Sequence, residues 1–532
     1  MGNTTAFSRR MIVLAIFVIA SAATVVHAQT LLPRGHTLFT ADFEGPSPLA
    51  VWSGPGKLDA GYRSQRAACV ERLDGPAPGS RMLLISLPAE PMRGYTVYAK
   101  AMVKAQNVSV KPLPWNGVKF MMQVDSPRGA SWPAAQFDAG SFDWQSAGFA
   151  ARIPDDASRV LLFVGLEAVT GKAWFDDLRV YVGKTPRPPQ TRPAAQRLYK
   201  GHDLPRLRGT MINPSIDEAS LRTLGKEWNA NVLRWQLIRY VAPAYRYTPA
   251  DYDQWLQGEL RKLDAALPLC QKHGLHVVVD LHSPPGGSRT ASGYVGSDDR
   301  LFTYKACQDK FVQVWEHIAR RYKDATPIWG YDLANEPVEG IVEDGCDDWH
   351  DLAERVGKAI RVIDAQRAVI VEPTEWGSPL GFATFYPIDV PNVVYSAHMY
   401  VPATFTHQNV FGKGPPVRYP GQIDGTQWDR SAIEAALKPV VEFQKAYGVH
   451  IYVGEFSAIR WAPDNSAYRY LKDVIDVFEA NGWDWTYHAF REWQGWSVEH
   501  GGDRNDISPA TQPTDRQRLL CDWFSRNQKP RW

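Results

Sequence analysis

One stretch determines how the rest of the chain is interpreted, namely Ile328-Trp329-Gly330-Tyr331-Asp332-Leu333-Ala334-Asn335-Glu336-Pro337. Its first positions are mostly apolar and include two aromatic side chains, which predicts a buried strand that Pro337 prevents from continuing. Glu336 is therefore expected at the carboxyl end of a strand, beside an asparagine and before a rigid turn. A glutamate in that place can face a cleft and give a proton to a leaving group. The alternative is a solvated loop carboxylate, and the surrounding chain decides between the two.

Composition and charge narrow the class of protein. A chain of 532 residues with 44% hydrophobic and 22% charged residues is typical of globular proteins with more than one domain. The 59 lysines and arginines nearly balance the 57 aspartates and glutamates, so no electrostatic field favours nucleic acid or an anionic membrane as a partner. The 20 Trp, 22 Tyr and 21 Phe suit an uncharged, hydroxyl-rich ligand with apolar faces. We expect a monomer with such a ligand.

The N-terminus has the pattern of a secretory signal peptide. Arg9 and Arg10 precede the apolar residues 11–23, and Val26-His27-Ala28 is a small-residue cleavage site. We expect residues 1–28 to be removed and the mature chain to be secreted or periplasmic, without a membrane anchor. The apolar run is too short to span a membrane comfortably.

The five cysteines show no spacing typical of a metal site. We expect buried thiols, with one disulfide possible, and we expect neither a metal nor a cofactor. The cysteines are Cys69, Cys270, Cys307, Cys346 and Cys521.

Residues 29–183 are predicted to form an antiparallel β-sandwich. Short alternating runs broken by Pro and Gly lie at 81–87, 95–105, 118–124, 144–153, 160–166 and 173–182. The segment Trp174-Phe175-Asp176-Asp177-Leu178-Arg179-Val180 and the length of the region resemble a jelly-roll carbohydrate-binding module. Trp115 and Trp132 lie in loops where they can either stack on a sugar ring or anchor the loop, whereas Trp144 and Trp174 are expected in the core.

A spacer and a second domain follow. Residues 184–205 contain Pro186, Pro188, Pro189 and Pro193 among Arg, Gln and Thr, a composition typical of a semi-rigid linker. Over 206–532, predicted strands at 208–212, 232–236, 276–281, 328–333, 368–372, 393–398, 450–454 and 483–488 alternate with helical patterns at 252–273, 307–322, 349–365, 431–447 and 467–481. Eight such units predict a (β/α)8 barrel. A doubly wound open sheet is the alternative, but no Gly-rich phosphate loop follows the first strand.

Polar residues collect at the carboxyl ends of the predicted strands, where barrels carry their function. The candidates, in chain order, are Arg234, His282, Asn335, Glu336, His398, Tyr400, Glu455, His488 and Trp493. The opposite strand ends are predicted to hold no comparable set. Such a gathering is hard to explain by core packing, because every buried polar group needs a partner.

Two of these residues are glutamates, on strands four and seven. Across a barrel mouth, Glu336 and Glu455 can face each other over a single bond. Cleavage of a glycosidic bond requires such a pair, one carboxyl to protonate the leaving oxygen and the other to stabilise or capture the sugar cation. Peptide hydrolysis would instead need a Ser/His/Asp set or a metal, and the sequence contains neither Gly-x-Ser-x-Gly nor His-Glu-x-x-His.

From about residue 205 to 500 the chain resembles glycoside hydrolase family 5, the cellulase-containing family. The resemblance is carried by Val232-Leu233-Arg234-Trp235, Asp280-Leu281-His282, Asn335-Glu336-Pro337, His398-Met399-Tyr400 and Val453-Gly454-Glu455-Phe456. It implies that Glu336 is the acid/base, that Glu455 is the nucleophile, and that a covalent glycosyl-enzyme leads to retained configuration.

The two carboxyls need opposite pKa shifts for these roles. Arg234 and the Tyr400 hydroxyl are expected to donate to Glu455 and lower its pKa. An apolar seat and the charge of Glu455 are expected to raise the pKa of Glu336. Asn335 is expected to hold the 2-hydroxyl of the sugar. The imidazoles of His282 and His398 are expected either to bind sugar hydroxyls or to be structural.

Strand eight departs from the family pattern, and the residues after strand five provide further candidates for the site. The family pattern predicts a tryptophan directly after Trp485-Thr486-Tyr487, and this chain has His488. Trp493 and Trp496 are the candidates to replace its stacking face. After strand five, Trp376 is a further candidate for sugar stacking, and Glu375 is the main rival carboxylate. The prediction is a secreted β-glycosidase of the cellulase, β-glucanase or β-mannanase type, endo-β-1,4-glucanase-like; a sugar-binding protein on a degenerate barrel and a transglycosylase are the alternatives.

Overall fold

The computed structural model describes residues 31–73, 79–113, 115–127, 129–186, 198–239, 249–287, 300–410, 412 and 414–532. The expected signal peptide and residues 187–197 of the expected linker lie outside these ranges. Among the described residues there is no helix with the length and apolar character needed to cross a membrane.

The N-terminal region consists of two antiparallel β-sheets that pack face to face. One sheet contains Thr37–Ala41, Lys57–Asp59, Ala67–Arg72, Thr96–Val108, Gly140–Arg152 and Gly171–Lys184, and the other contains Ser80–Leu87, Gly117–Ser126, Gly129–Ser131 and Arg159–Glu167. A short 3-10 helix, Glu90–Met92, joins the sheets. Each of the six predicted runs overlaps one strand. The sequence pattern missed the four short strands, because three to six residues are too few to show alternation.

The C-terminal region is a closed barrel of eight parallel strands in chain order, which confirms the predicted fold and rules out the open sheet. Its strands one to eight are Arg208–Ile212, Val232–Gln236, His276–Asp280, Ile328–Asp332, Ala368–Val371, Val393–Met399, Ile451–Phe456 and Asp484–Phe490. Strand eight pairs with strand one to close the ring. Nearly all strand residues are buried, since side chains fill the interior and helices cover the outside.

Helices connect the barrel strands. The α-helices are Glu218–Arg222, Pro249–His273, Arg300–Thr303, Lys305–Tyr322, Trp349–Ile363, Pro379–Phe382, Ala403–Thr406, Arg430–Tyr447, Ser466–Asn481 and Asp515–Phe524. A π-helical turn (Thr223–Glu227), a 3-10 turn (Pro463–Asn465) and a small hairpin (Gly421–Ile423 with Thr426–Trp428) complete the connections. The helix Trp349–Ile363 buries Leu352, Val356 and Ile360 at helical spacing, and the Asp348 side chain caps its N-terminus.

The N-terminal end of the barrel also holds a polar cluster, so the prediction of none there was wrong. Asp484 Oδ2 lies 2.7 Å from His202 Nε2 and 2.7 Å from His450 Nε2. The carboxylate is fully buried, and its other oxygen accepts the backbone N–H of Leu207. His202 belongs to the segment before strand one, and a strand-by-strand pattern does not show that this segment closes the barrel from below.

Three of the cysteines, Cys69, Cys270 and Cys346, are buried free thiols, as their spacing predicted. Burial raises the pKa of Cys69 to about 11 and that of Cys270 to about 12, so both thiols stay protonated and inert at neutral pH.

Candidate active site

The mouth of the barrel is organised around Arg234, the central residue of strand two. Its guanidinium is fully buried. The guanidinium nitrogens lie 2.5 Å from Glu455 Oε1, 3.0 Å from Asp332 Oδ2, 3.1 Å from Glu372 Oε1 and 3.2 Å from Asp280 Oδ1. A planar fork of five N–H donors can serve these four carboxylates at once, whereas a lysine has only three donors on a single nitrogen. Arg234 thus supplies the positive charge that allows these acids to be buried together.

Glu455 lies in strand seven and is held as an ionised carboxylate. Besides the Arg234 contact, the Tyr400 hydroxyl donates to its Oε2 at 2.9 Å. His488 Nδ1 lies 3.6 Å from the same oxygen. Burial would raise the pKa of Glu455, but the positive charges of His398, His488 and Arg234 outweigh burial and hold the pKa well below its ordinary range. The expectation for Glu455 named Arg234 and Tyr400 but missed the two histidines.

Glu336 follows strand four in a left-handed backbone conformation, with φ of +44°. Its backbone N–H donates to Glu372 Oε2 at 2.8 Å, which fixes this turn. Burial raises the pKa of Glu336, the hydrogen bond from His398 opposes part of the rise, and the charges of Glu455 and Glu372 add to it. The side chain keeps 16% of its surface exposed, so a protonated carboxyl remains accessible from the cleft.

The two glutamates meet across the mouth. One carboxylate oxygen of Glu336, one of Glu455 and a ring nitrogen of His398 all lie within 4.8 Å of one another. Carboxyls that flank a scissile bond are about 5–5.5 Å apart when the second acts as a nucleophile, and about 6.5–9.5 Å apart when a water must fit between them. The oxygens of Glu336 and Glu455 that lie within 4.8 Å of each other are nearer to the first of these two ranges.

His398, in strand six, lies between two carboxylates. Its Nδ1 is 3.0 Å from Glu336 Oε1, and its Nε2 is 3.0 Å from Glu372 Oε1. Burial alone would lower the pKa of His398, but Glu372, Glu455 and Glu336 raise it well above its ordinary value. A Cβ atom on Gly454 would lie only 2.9 Å from His398 Nε2, so the glycine before Glu455 leaves room for the ring. His398 is therefore a positively charged imidazolium held between Glu336 and Glu372.

Two further predicted residues lie at the same rim. His282 is buried, and its Nδ1 is 2.8 Å from Asp280 Oδ2. The Oδ1 of Asn335 accepts from Arg234 Nη2 at 3.0 Å. Its Nδ2 is buried and has no hydrogen-bond partner within the part of the chain that the structure describes. This amide is a donor that a sugar hydroxyl can satisfy.

The aromatic candidates differ in exposure. Trp376 is 50% exposed on the loop after strand five, and Trp493 is 37% exposed. Trp496 is buried, with its ring 5.7 Å from that of His488 and 6.2 Å from that of Tyr400. Trp376 and Trp493 can therefore stack on a ligand, whereas Trp496 packs beside His488 and Tyr400, next to Glu455, and is not itself a stacking face.

Strand eight brings His488 close to Glu455. Tyr400 Oη lies 2.5 Å from His488 Nδ1, and His488 Nε2 is 3.4 Å from Glu492 Oε2. Gln236 Nε2 donates to the same carboxylate oxygen at 3.0 Å. Burial lowers the pKa of His488, but Glu455 and Glu492 raise it above its ordinary value. A polar, charged ring thus occupies the position where the family pattern predicts tryptophan.

Strand five contributes Glu372 to the mouth, not the rival carboxylate that the sequence suggested. Glu375 is exposed, and the charged groups that act on it are Glu339 and Arg152. Sequence reasoning missed Asp280 and Asp332 as members of the cluster. A signal was present, because each is an acid at the end of an otherwise apolar strand and such an acid needs a buried partner.

Two groups of described residues have ligand atoms close enough to hold a metal ion, namely Glu336, His398 and Glu455 at the mouth and His202, His450 and Asp484 at the opposite end. In both groups these atoms already have hydrogen-bonding partners within the protein. The arrangement at the mouth fits acid/base and nucleophilic chemistry by side chains alone.

Residues 194–493 match the family described as Cellulase (glycosyl hydrolase family 5). Endoglucanase C of Acetivibrio thermocellus is 28% identical over 265 residues, covering 44% of this chain and 74% of that protein. Cellodextrinase A of Ruminococcus flavefaciens is 26% identical over 238 residues, covering 44% and 68%. A crystal structure of Thermotoga maritima Cel5A in complex with cellobiose aligns with 21% identity and a TM-score of 0.45, covering 60% of this chain and 97% of that one.

Proposed function

We propose that this chain cleaves glycosidic bonds by a retaining, two-glutamate mechanism. The chain belongs to glycosyl hydrolase family 5, the cellulase family, and is a glycosidase. The observation that carries the proposal is a pair of carboxyls within 4.8 Å whose pKa values are shifted in opposite directions. Such a pair separates a proton donor from an ionised nucleophile at one pH.

In the first step, Glu455 gives an electron pair to the anomeric carbon and forms an ester bond. The bond between that carbon and the leaving oxygen breaks, and its electron pair goes to the oxygen, which takes the proton of Glu336. The leaving alcohol is therefore neutral when it departs.

In the second step, Glu336 acts as a base. Esterification has removed the negative charge of Glu455, which was one cause of the raised pKa of Glu336. Glu336 takes a proton from water, the water oxygen attacks the anomeric carbon, and the ester electron pair returns to Glu455. Two inversions at that carbon give net retention.

We propose a β-linked glucan or mannan as the substrate, cleaved internally. The buried, unsatisfied amide of Asn335 is placed to donate to a 2-hydroxyl. Trp376 and Trp493 offer exposed faces for flanking sugars. The relatives named endoglucanase and cellodextrinase support this substrate class.

Two further roles remain proposals. We propose export of a monomer, supported by Arg9, Arg10 and the apolar residues 11–23. We also propose that the sandwich binds polysaccharide through Trp115 and Trp132, which are 61% and 53% exposed. Loss of sedimentation with insoluble polysaccharide in a Trp115→Ala/Trp132→Ala variant would test the second role.

The mechanism is tested with β-glucans, β-mannans and activated aryl glycosides on the wild type, Glu336→Ala and Glu455→Ala. Each variant is expected to lose on the order of 10⁴-fold in kcat on polysaccharide, because each removes one of two groups that act together. With an activated aryl substrate, azide should rescue Glu455→Ala and give a glycosyl azide of inverted configuration. Azide should also rescue Glu336→Ala, with retained configuration.

The matched control is Glu375→Ala, which removes an exposed carboxylate from the same end of the barrel. It should keep activity within about twofold of wild type. If the two azide products exchanged between the variants, the roles of Glu336 and Glu455 would be reversed.

A further inference from the structure

The sandwich contacts the barrel at the segment 337–348, which leads directly away from Glu336. Lys184, the last residue of the strand Gly171–Lys184, forms an ion pair with Glu339 and lies 3.3 Å from Asp348 Oδ2. A second sandwich lysine, Lys100, pairs with Glu343 at 2.6 Å. Both ion pairs join the two domains.

Hydrogen-bonding and packing contacts from the sandwich cover the same segment. Arg34 Nη2 donates to the carbonyl of Val342 at 2.7 Å. Tyr98 of the sandwich is buried and belongs to the core cluster of the barrel. A Cβ atom added to Gly148 would lie 2.8 Å from Ile341 Cδ1, so the sandwich backbone approaches the segment closely. The segment is thus packed between the two domains.

A chain of hydrogen bonds leads from Lys184 to Glu336. Glu339 Oε2 accepts the backbone N–H of Trp349 at 2.8 Å, at the start of the helix Trp349–Ile363. The indole Nε1 of Trp349 donates to the carbonyl of Glu372 at 2.7 Å. The Glu372 side chain in turn accepts the backbone N–H of Glu336. Glu336 is therefore held on one side through the peptide to Glu339 and on the other through this helix.

We propose that the sandwich is a structural part of the active site, with Lys184 as a positioning residue that holds Glu339 and thereby sets the place of Glu336. The inference rests on the proposed role of Glu336 as proton donor. This structural role distinguishes the sandwich from a module that only brings the enzyme to its polymer. Loss of such a module does not change the rate at which small soluble substrates are hydrolysed.

The charges show why Lys184 matters. Glu339 and Asp348 are both largely buried, with 8% and 14% of their side chains exposed. Without the lysine, Glu339 and Asp348 would lose the positive charge that Lys184 places against both of them, and their mutual repulsion would favour a shift of the segment. A displacement of about 1 Å in a catalytic group is enough to reduce rates strongly.

The test uses Lys184→Met in the full chain and compares kcat/KM for aryl β-cellobiosides with different leaving groups. The value kcat/KM reports the step in which the aglycone departs. We expect a roughly tenfold loss with a phenyl leaving group, which needs the proton of Glu336, and less than about twofold with 2,4-dinitrophenyl, which departs without it. A general loss of folded protein would lower both values equally.

Lys172→Met is the matched control. Lys172 lies on the same strand and pairs with Glu71 at 2.8 Å inside the sandwich, with 34% of its side chain exposed against 27% for Lys184. It should leave both substrates within about twofold of wild type. Glu339→Gln removes the negative charge from the same ion pair and should reproduce the leaving-group dependence. This variant replaces Lys184→Met in the test if Lys184→Met does not fold.

Equal losses with both leaving groups, no loss with either, or a loss confined to insoluble polymer would each overturn the inference. Wild-type protein that hydrolyses none of the substrates would instead overturn the proposed function.

Discussion

The two ends of the barrel both hold buried carboxylates and histidines, but the pKa values of their carboxylates are shifted differently. At the N-terminal end, Asp484 is shared by His202 and His450 at 2.7 Å each. Burial would raise the pKa of Asp484, but the two imidazoles outweigh it and hold the pKa far below its ordinary range. The oxygens of Asp484 are occupied by partners within the protein, and the lowered pKa keeps this carboxylate ionised at neutral pH.

The mouth contains the same residue types with opposed shifts. The pKa of Glu336 and that of Asp332 are raised, burial being the first cause in both, while the pKa of Glu455 is lowered. The comparison teaches that buried polar residues do not by themselves mark an active site. A stronger sign of an active site is a pair of neighbouring acids whose pKa values are shifted in opposite directions.

Replacement of Arg234 by methionine should have the largest effect. It would leave Asp280, Asp332, Glu372 and Glu455 buried without the guanidinium that contacts all four, at a cost of about 3–5 kcal/mol in the free energy of unfolding and more than about 10³-fold in kcat. Denaturant unfolding and kinetics measure the two losses. Arg208→Met is the control near the other end, since Arg208 pairs with Glu479 at 2.5 Å. A comparable loss of turnover there would break the distinction between the ends.

Replacement of Glu372 by glutamine should lower kcat/KM by roughly 10²-fold, because His398 loses one of its two anionic partners and the hold on Glu336 loosens. Glu375→Gln is the matched control, an exposed acid on the same loop, and should change kcat/KM by less than about twofold. Similar losses in the two variants would show that Glu372 has no special part in the mouth.

Replacement of Asp484 by asparagine should cost about 1–3 kcal/mol in the free energy of unfolding at pH 7 and leave the pH profile of kcat/KM unchanged. Because the folded-state pKa lies below the ordinary value of 3.8, the stabilisation by Asp484 is present above about pH 4 and declines as the pH falls. Unfolding curves at pH 7 and pH 3 should therefore show a smaller difference between variant and wild type at pH 3. A shifted pH–rate profile would contradict the assignment of this end as structural.

Replacement of His488 by glutamine should have the smallest effect. The charge of His488 helps to lower the pKa of Glu455, so its removal raises that pKa and moves the acid limb of kcat/KM upward by less than about one pH unit. Burial, with the charge of His488, lowers the pKa of neighbouring His407 to about 4, so His407→Gln removes a neutral ring. An unchanged limb for His488→Gln, or an equal shift for His407→Gln, would exclude this role for His488.

The fold could be predicted closely because barrel strands and amphipathic helices have local periodicity. All eight predicted barrel strands overlap the observed ones, and strands three to five end one residue earlier than predicted. Arg234, in the middle of strand two, and Glu455, near the end of strand seven, could also be placed, since position along a strand is visible in sequence.

What could not be predicted depends on contacts between distant segments. Glu372 and Glu375 are three residues apart, and only the fold shows that the first lies against Arg234 and the second faces solvent. His202 reaches the barrel from a segment outside every strand. The contact of Lys184 with Glu339 joins two domains whose patterns are separate in the sequence.

The order of the two domains along the chain affects how the protein is made. The ribosome completes the sandwich before residues 337–348 exist, so Tyr98 and Lys184 are first exposed on a nascent chain without the barrel surface that later covers them. Fragments that end before strand four therefore carry an uncovered apolar and charged surface, and expression of the sandwich alone would present it permanently to other molecules.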